Sequence, residues 1–252
     1  MNRSDIWGEI DNLQQMLIRA ATGYPGHGIG YVRPDNTIHQ KSYAEVLTRA
    51  KSLLGGLNKI GINQHDKAIL ALDKNEDTIP VLWACLLGGI VPTIMQPPVS
   101  FSDYNPQLEK LEKVYRILEE PLIIISKSLG SSIVTETIPE NNLLVLDHIE
   151  PIDDFNQLPP VAASDIAYIQ FSSGSTGDPK GIILTHENIL TNLDAISVGL
   201  HFTHDTRTLN WMPLYHDMGL IGYHFTPVYY THHQFHIETI DFIKRPFSGW
   251  TS

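Results

Sequence analysis

Tyr168-Ile169-Gln170-Phe171 runs directly into Ser172-Ser173-Gly174-Ser175-Thr176-Gly177-Asp178-Pro179-Lys180-Gly181, and Ile182-Ile183-Leu184-Thr185 follows. Two extended-looking apolar runs thus flank a ten-residue segment with three glycines, three serines, one threonine and one lysine. Glycine allows positive φ and brings backbone amides close to a ligand. The hydroxyls add short donors and Lys180 adds a positive charge. Consecutive amides turned inward form an anion-binding concavity, and the combination suits a triphosphate. A plain turn needs only one or two such residues.

Spacing excludes three other glycine loops. A Walker A loop requires Gly-x-x-x-x-Gly-Lys-[Ser/Thr], but the sixth position from Gly174 is Pro179, and the segment leads into a β-rich run rather than a helix. Gly174 and Gly177 do not have the spacing of the Gly-x-Ser-x-Gly elbow. Gly-x-Gly-x-x-Gly is also missing.

Outward from this segment, helix and strand signals alternate. Ile6, Ile10, Leu13 and Leu17 recur at helical spacing. Ser42-Tyr43-Ala44-Glu45 reads as a capping box opening a helix with Val46, Ala50, Leu53, Leu54 and Leu57 on one face, and Gly61 can end it. Ala68–Leu72 reads as a buried strand. A helix is expected from near Thr78 to Leu87, with Pro80 tolerated in its first turn, then a strand from Ile90 to Met95. Asn105-Pro106 opens another helix as cap and first position. Leu122–Ser126, Leu143–Leu146 and Ile166–Phe171 are further strands, and Ile189, Leu193, Ile196 and Leu200 mark a helix. Strands separated by helices imply an α/β fold with mostly parallel sheets covered on both faces. Asp153–Ser164, with Pro159-Pro160, reads as a connector, between subdomains or simply between elements.

The 252-residue chain carries 17 basic and 28 acidic side chains, a net charge of −11. Such a surface attracts neither nucleic acid nor anionic membrane, so an anionic substrate needs a local cluster of donors. The single cysteine, Cys85, excludes an internal disulfide and lies in an apolar run that suggests a buried, inert thiol. Met1–Asp5 leads into no signal-peptide core, and no apolar run approaches the roughly 20 residues of a membrane span. The expected location is the cytoplasm. Twelve histidines invite a metal hypothesis. His232, His233 and His236 cluster, but with no acidic or cysteine partner they read as a solvated polar stretch.

Tyr168–Gly181 resembles the phosphate-loop signature of the acyl-AMP-forming (AMP-binding) enzymes. A second block, Leu209-Asn210-Trp211-Met212-Pro213-Leu214-Tyr215-His216-Asp217-Met218-Gly219-Leu220-Ile221-Gly222, resembles the fatty acyl-AMP ligase branch, as do Gln96-Pro97-Pro98 and Phe242–Pro246. The resemblance runs over nearly the whole chain. It implies ATP-dependent joining of a carboxylic acid, fatty in this branch, to AMP, with Mg²⁺ as metal and an acyl carrier protein as acceptor. By resemblance, Ser172, Ser173, Gly174, Ser175, Thr176, Gly177, Lys180 and Gly181 would cradle the ATP phosphates. Lys180 would clamp the leaving pyrophosphate, and Thr176 would face Mg²⁺ or the phosphates.

His216 would guide the attacking carboxylate, or serve as a hydrogen-bonded structural histidine. Trp211, Asp217, Met218 and Gly219 belong to the same block. Asp217 suits a structural role equally well, and Trp211, Met212 and Met218 suit either plain core or the lining of an acyl pocket. Family members continue with adenine- and ribose-binding segments and a small C-terminal domain, so residues 1–252 are expected to be a partial N-terminal domain, weak or inactive alone. An acyl-CoA synthetase and a non-catalytic docking module of the same fold remain alternatives.

Overall fold

The computed structural model describes residues 10–98, 105–173, 178–200 and 205–245. Helix α1 (Leu13–Gly23) opens at Asn12, whose side chain accepts the Gln15 amide at 2.8 Å. That cap starts the helix later than the Ile6–Leu17 spacing suggests; Ile6 lies outside the described residues. Strands β1 (Gly28–Val32) and β2 (Ile38–Ser42) precede helix α2 (Tyr43–Lys59). The capping box forms: the Ser42 amide donates to Glu45 Oε2 at 2.8 Å, and the Glu45 amide to Ser42 Oγ at 3.2 Å. Gly61, just beyond the helix, adopts φ +94°.

Strand β3 (Lys67–Ala71), helix α3 (Asn75–Leu87) and strand β4 (Val91–Ile94) follow. Helix α3 begins earlier than expected, which puts Pro80 inside it rather than in its first turn. An interior proline costs about 3 kcal/mol. Here Ile79 and every residue from Val81 to Leu87 are buried, and each large apolar side chain gains roughly 1.5–3 kcal/mol, so packing outweighs the break. Helix α4 (Pro106–Ile117) starts as Asn105-Pro106 predicts, the Asn105 side chain accepting the Leu108 amide at 3.1 Å. Next come β5 (Leu122–Ile125), β6 (Leu143–Val145), β7 (Ile166–Ser173), β8 (Pro179–Thr185), α5 (His186–Leu200) and β9 (Arg207–Asn210). A π-helix (Met218–Phe225) leads into α6 (Thr226–Tyr229), then β10 (His233–Ile237) and α7 (Thr239–Lys244).

The chain forms two compact units. One comprises Met1–Arg49, Val161–Asp165 and Thr185–Ser252; the other comprises Ala50–Pro160 and Ile166–Leu184.

The first unit is built on a four-stranded sheet of order β2-β1-β10-β9. β10 lies between β1 and β9 and is parallel to both, while β2 is an antiparallel edge strand. This placement corrects the expectation of a solvated stretch at His232–His236. Gln234 and His236 alternate along this central strand, His232 directly precedes it, and all three are buried. Period-2 alternation turns Gln234 and His236 to one face, and the 2.7 Å hydrogen bond between His236 Nε2 and Gln234 Oε1 offsets part of their desolvation.

The second unit holds an all-parallel sheet of order β4-β3-β5-β6 and the strand pair β7-β8. Leu111, Val114 and Tyr115 of α4 pack with Ile69, Ile123 and Ile125 of the sheet and with Ile169 and Phe171 of β7. The Thr93 hydroxyl donates to the Ile169 carbonyl at 3.0 Å. These contacts fix β7, and with it the start of the glycine-rich segment. Cys85 is fully buried, and burial pushes its thiol up to about 12, in line with an inert thiol. The described sheets and helices make the α/β architecture with mostly parallel strands that the sequence predicts. No helix among the described residues is long and apolar enough to cross a membrane.

Candidate active site

The glycine-rich segment belongs to the second unit and connects β7 to β8. Its approach is rigid: Tyr168 and Phe171 are buried, and Ser172 emerges exposed at the end of β7. Gly174, Ser175, Thr176 and Gly177, and the side chain of Ser173, lie outside the described residues. On the far side Pro179 is buried and Lys180 is exposed. A Cβ on Gly181 would sit 3.0 Å from the Phe171 ring, so glycine at this position lets β8 lie close against β7. The two strand ends thus bring Ser172 and Lys180 to the limits of the segment, and the chain continues into a strand, as the non-Walker reading predicts.

Asp178 adds a feature that sequence reading missed. Its Oδ1 lies 2.8 Å from Lys113 Nζ of α4, a hydrogen-bonded ion pair that lowers the Asp178 carboxyl and raises the Lys113 ammonium from their ordinary values. The pair ties the exit of the segment to α4. A sequence separation of 65 residues hides it.

The histidine-bearing block belongs to the first unit. β9 ends at Asn210, and Trp211–Asp217 forms the link into the π-helix. The Trp211 ring stacks on Phe242 at 4.5 Å between centroids and remains 40% exposed. Met218 is exposed and Met212 half-buried. The His216 amide donates to the Pro213 carbonyl at 3.1 Å, closing a turn that presents an exposed imidazole. His216 Nδ1 lies 2.7 Å from Asp217 Oδ1 and 3.3 Å from the Met218 nitrogen. One nitrogen cannot donate to the carboxylate and accept the amide together. The shorter contact favours an N–H on Nδ1 facing Asp217, because Asp217 Oδ1 already accepts the Met218 amide at 2.7 Å. Nε2 is then left as the outward-facing ring nitrogen. Asp217 thus caps the π-helix and orients the His216 ring at once.

Gly219 is buried on the first turn of the π-helix, where a Cβ would stand 2.3 Å from the Pro213 carbonyl oxygen. Its place in the block reflects close backbone packing. The i→i+5 helix is closed by the Thr226 amide and by its hydroxyl, which donates to the Ile221 carbonyl at 2.8 Å. Such helices are rare and concentrate at functional sites.

Beneath this block lies a buried polar network that the sequence alone did not reveal. Gln234, His236, His224, Tyr43 and Asn210 are each at most 2% exposed. Its one sequence signal is the alternation His232-x-Gln234-x-His236. Tyr43 and Asn210 join it only through the β-sheet register and tertiary packing.

The chain belongs to the AMP-binding enzyme family, whose model matches residues 19–239. Among the curated relatives, a putative acyl-CoA synthetase of Caulobacter vibrioides is 29% identical over 97% of this chain and 43% of its own length. A long-chain-fatty-acid–AMP ligase of Mycobacterium marinum is 31% identical over 75% of this chain and 33% of its own length. Among solved structures, the McyG A-PCP complexed with phenylalanyl-adenylate superposes with a TM-score of 0.87 at 34% identity, over 94% of this chain and 38% of that one. The chain therefore spans less than half the length of these relatives.

Among the described residues no group of three or more His, Cys, Asp or Glu could hold a metal ion. The hydroxyls and ammonium around Ser172–Lys180 have the chemistry to contact phosphate oxygens. A Mg²⁺ ion, which keeps several waters and binds largely through substrate phosphates, fits such a donor set only when those phosphates bring it.

Proposed function

We propose that this chain takes part in ATP-dependent activation of a carboxylic acid, fatty in nature, as its acyl-AMP, for transfer to a carrier protein. The observation that carries the reading is the AMP-binding family match across residues 19–239, which contains both the Ser172–Gly181 segment and the His216 block. The fatty character draws on the 31% identity to a long-chain-fatty-acid–AMP ligase. Carrier transfer is consistent with a medium-chain-fatty-acid–[acyl-carrier-protein] ligase of Moorena producens at 26% identity over 84% of this chain.

In the proposed reaction a carboxylate oxygen attacks the α-phosphorus of ATP, the bond to the β-phosphate oxygen breaks, and pyrophosphate leaves with that electron pair. At about 4 Å and an effective dielectric near 20, each like-charge pair opposes the approach by roughly 4 kcal/mol. Positioned donors and cations offset this and hold the in-line geometry. Ser172–Gly181 is the proposed phosphate cradle and Lys180 the clamp on the leaving pyrophosphate. His216 is the proposed donor to the attacking carboxylate. Mg²⁺ would supply charge neutralisation on the phosphates, with Thr176 the hydroxyl assigned to face it.

A second reading, with coenzyme A as acceptor, draws on the 29% identity to the putative acyl-CoA synthetase. It shares the activation step and differs only in what takes the acyl group.

The test is acid-dependent exchange of labelled pyrophosphate into ATP, measured on the chain alone and on the chain joined to the remaining length of the M. marinum ligase. The proposal expects fatty-acid-dependent exchange in the joined form and little in the chain alone. A joined form that folds and binds ATP yet exchanges with no acid would contradict it. Product analysis with coenzyme A and with a phosphopantetheinyl carrier separates the two acceptors.

A further inference from the structure

The buried network of the first unit has one consistent arrangement of protons. Gln234 Oε1 lies 2.8 Å from His224 Nδ1 and 2.7 Å from His236 Nε2. Its Nε2 donates to the Tyr43 hydroxyl at 2.9 Å and faces the His224 carbonyl at 3.4 Å, and the Tyr43 hydroxyl donates to the His232 carbonyl at 2.6 Å. Turning the amide over would set oxygen against carbonyl oxygen, so this orientation is fixed by its surroundings. Both imidazoles then give a proton to Gln234: His224 carries it on Nδ1 and His236 on Nε2. His236 Nδ1 is left as an acceptor and faces Asn210 Nδ2 at 3.3 Å. Asn210 Nδ2 also donates to the Met212 carbonyl at 3.1 Å, and its Oδ1 accepts the Met212 amide at 2.8 Å. Every proton and lone pair that Asn210 directs at these partners is matched. Burial holds His224 at about 4 and His236 well below its ordinary value, so both rings are neutral near pH 7.

The network ends on the Met212–Pro213 peptide, and Gly219 closes on the same peptide. A Cβ on Gly219 would stand 2.8 Å from the Met212 oxygen and 2.3 Å from the Pro213 oxygen. The Pro213 oxygen in turn accepts the His216 amide.

We propose that Asn210, held by His236, whose ring Gln234 fixes in turn, is a positioning residue that clamps the Met212–Pro213 peptide against Gly219 and thereby sets the direction of His216. The functional meaning of that direction rests on the role proposed above for His216, but the clamp itself does not.

Nitrogen-15 NMR on this chain tests the proton arrangement. His224 is expected as the Nδ1–H tautomer and His236 as the Nε2–H tautomer, both neutral at pH 7. His236 protonated on Nδ1, or present as imidazolium at pH 7, would overturn the clamp, because Asn210 would then meet a donor. Two substitutions test the positioning. Asn210→Leu removes all three contacts at similar volume and is expected to raise hydrogen exchange of the Met212 and His216 amides about tenfold, the scale of one to two lost hydrogen bonds. The amide of Gln234 should stay protected. Asn210→Asp retains the acceptor for the Met212 amide and should restore protection of Met212 more than of His216. Gly219→Ala, approaching from the other side, should shift the His216 ring signals in the same way. Unchanged His216 signals and exchange in both Asn210→Leu and Gly219→Ala would refute the positioning role. If acid-dependent exchange of pyrophosphate proves absent from the wild-type joined form, the activity assignment fails while these NMR results still judge the clamp.

Discussion

The hydroxyl of Tyr168 accepts the backbone amide of Ile94 at 3.0 Å in the interior of the second unit. Both residues are buried, so this side chain takes the place of a ladder hydrogen bond between β4 and β7. Tyr168→Phe keeps the ring and strands the amide. A buried unsatisfied donor costs about 1–3 kcal/mol, so the unfolding free energy of the variant is expected to fall by that amount, seen as a lower urea midpoint at an unchanged slope. Wild-type stability would show that the Tyr168 hydroxyl does not anchor β7.

The buried histidines make stability depend on pH. His186 accepts the Leu13 amide through Nδ1 at 3.1 Å, and burial lowers it to about 4. His224 is also lowered to about 4, and His236 is well below its ordinary value. Each folded-state value lies below the unfolded one, near 6.5. Stability from these groups is therefore whole above about pH 6.5 and falls as pH drops toward 4, where the unfolded chain binds protons that the folded chain refuses. The slope is about 1.4 kcal/mol per pH unit for each such histidine. His186→Asn, which keeps an acceptor for Leu13, should reduce the slope by about one proton, read from unfolding free energies between pH 4.5 and 7. An unchanged slope would place the uptake elsewhere.

Cys85 is sealed in α3, and burial raises its thiol to about 12. The thiolate is the reactive species. A disulfide-exchange reagent at pH 8 should therefore leave the native chain unmodified and react fully in denaturant. Rapid labelling of the native chain would show that α3 opens.

The parts legible in the sequence are those written in local chemistry. Ser42–Glu45 and Asn105-Pro106 announce helix starts because the groups that satisfy free amides sit within four residues of each other. The apolar runs at 68–72 and 122–126 announce buried parallel strands. The glycine-rich segment is visible because its residue types are crowded together. Other features depend on partners remote in sequence. The burial of His236 follows from β10 lying between β1 and β9, which polar composition argues against. Pro80 inside α3 reflects packing that overrides a local penalty. Asn210 gains its role from a strand neighbour, His236, 26 residues on, and Asp178 from Lys113 on another helix. The π-helix at Met218–Phe225 is hidden as well, since apolar spacing there separates poorly from that of an α-helix.

Lys180→Ala in the joined form described above should leave the fold intact, because the side chain is exposed. It should lower acid-dependent exchange by roughly 2–4 kcal/mol in transition-state terms, comparable to losing one key charge-stabilising donor. Steady-state kinetics checks this, and unchanged turnover would remove Lys180 from the clamp role.

The proposed role of Ser172–Gly181 is to receive the phosphates of ATP. Titration of the nitrogen-15-labelled chain with Mg²⁺·ATP, followed by amide shifts, tests it most directly. Saturable shifts concentrated in residues 172–181 and weakened by Lys180→Ala are expected. Shifts that avoid those residues, or survive the substitution unaltered, would contradict it.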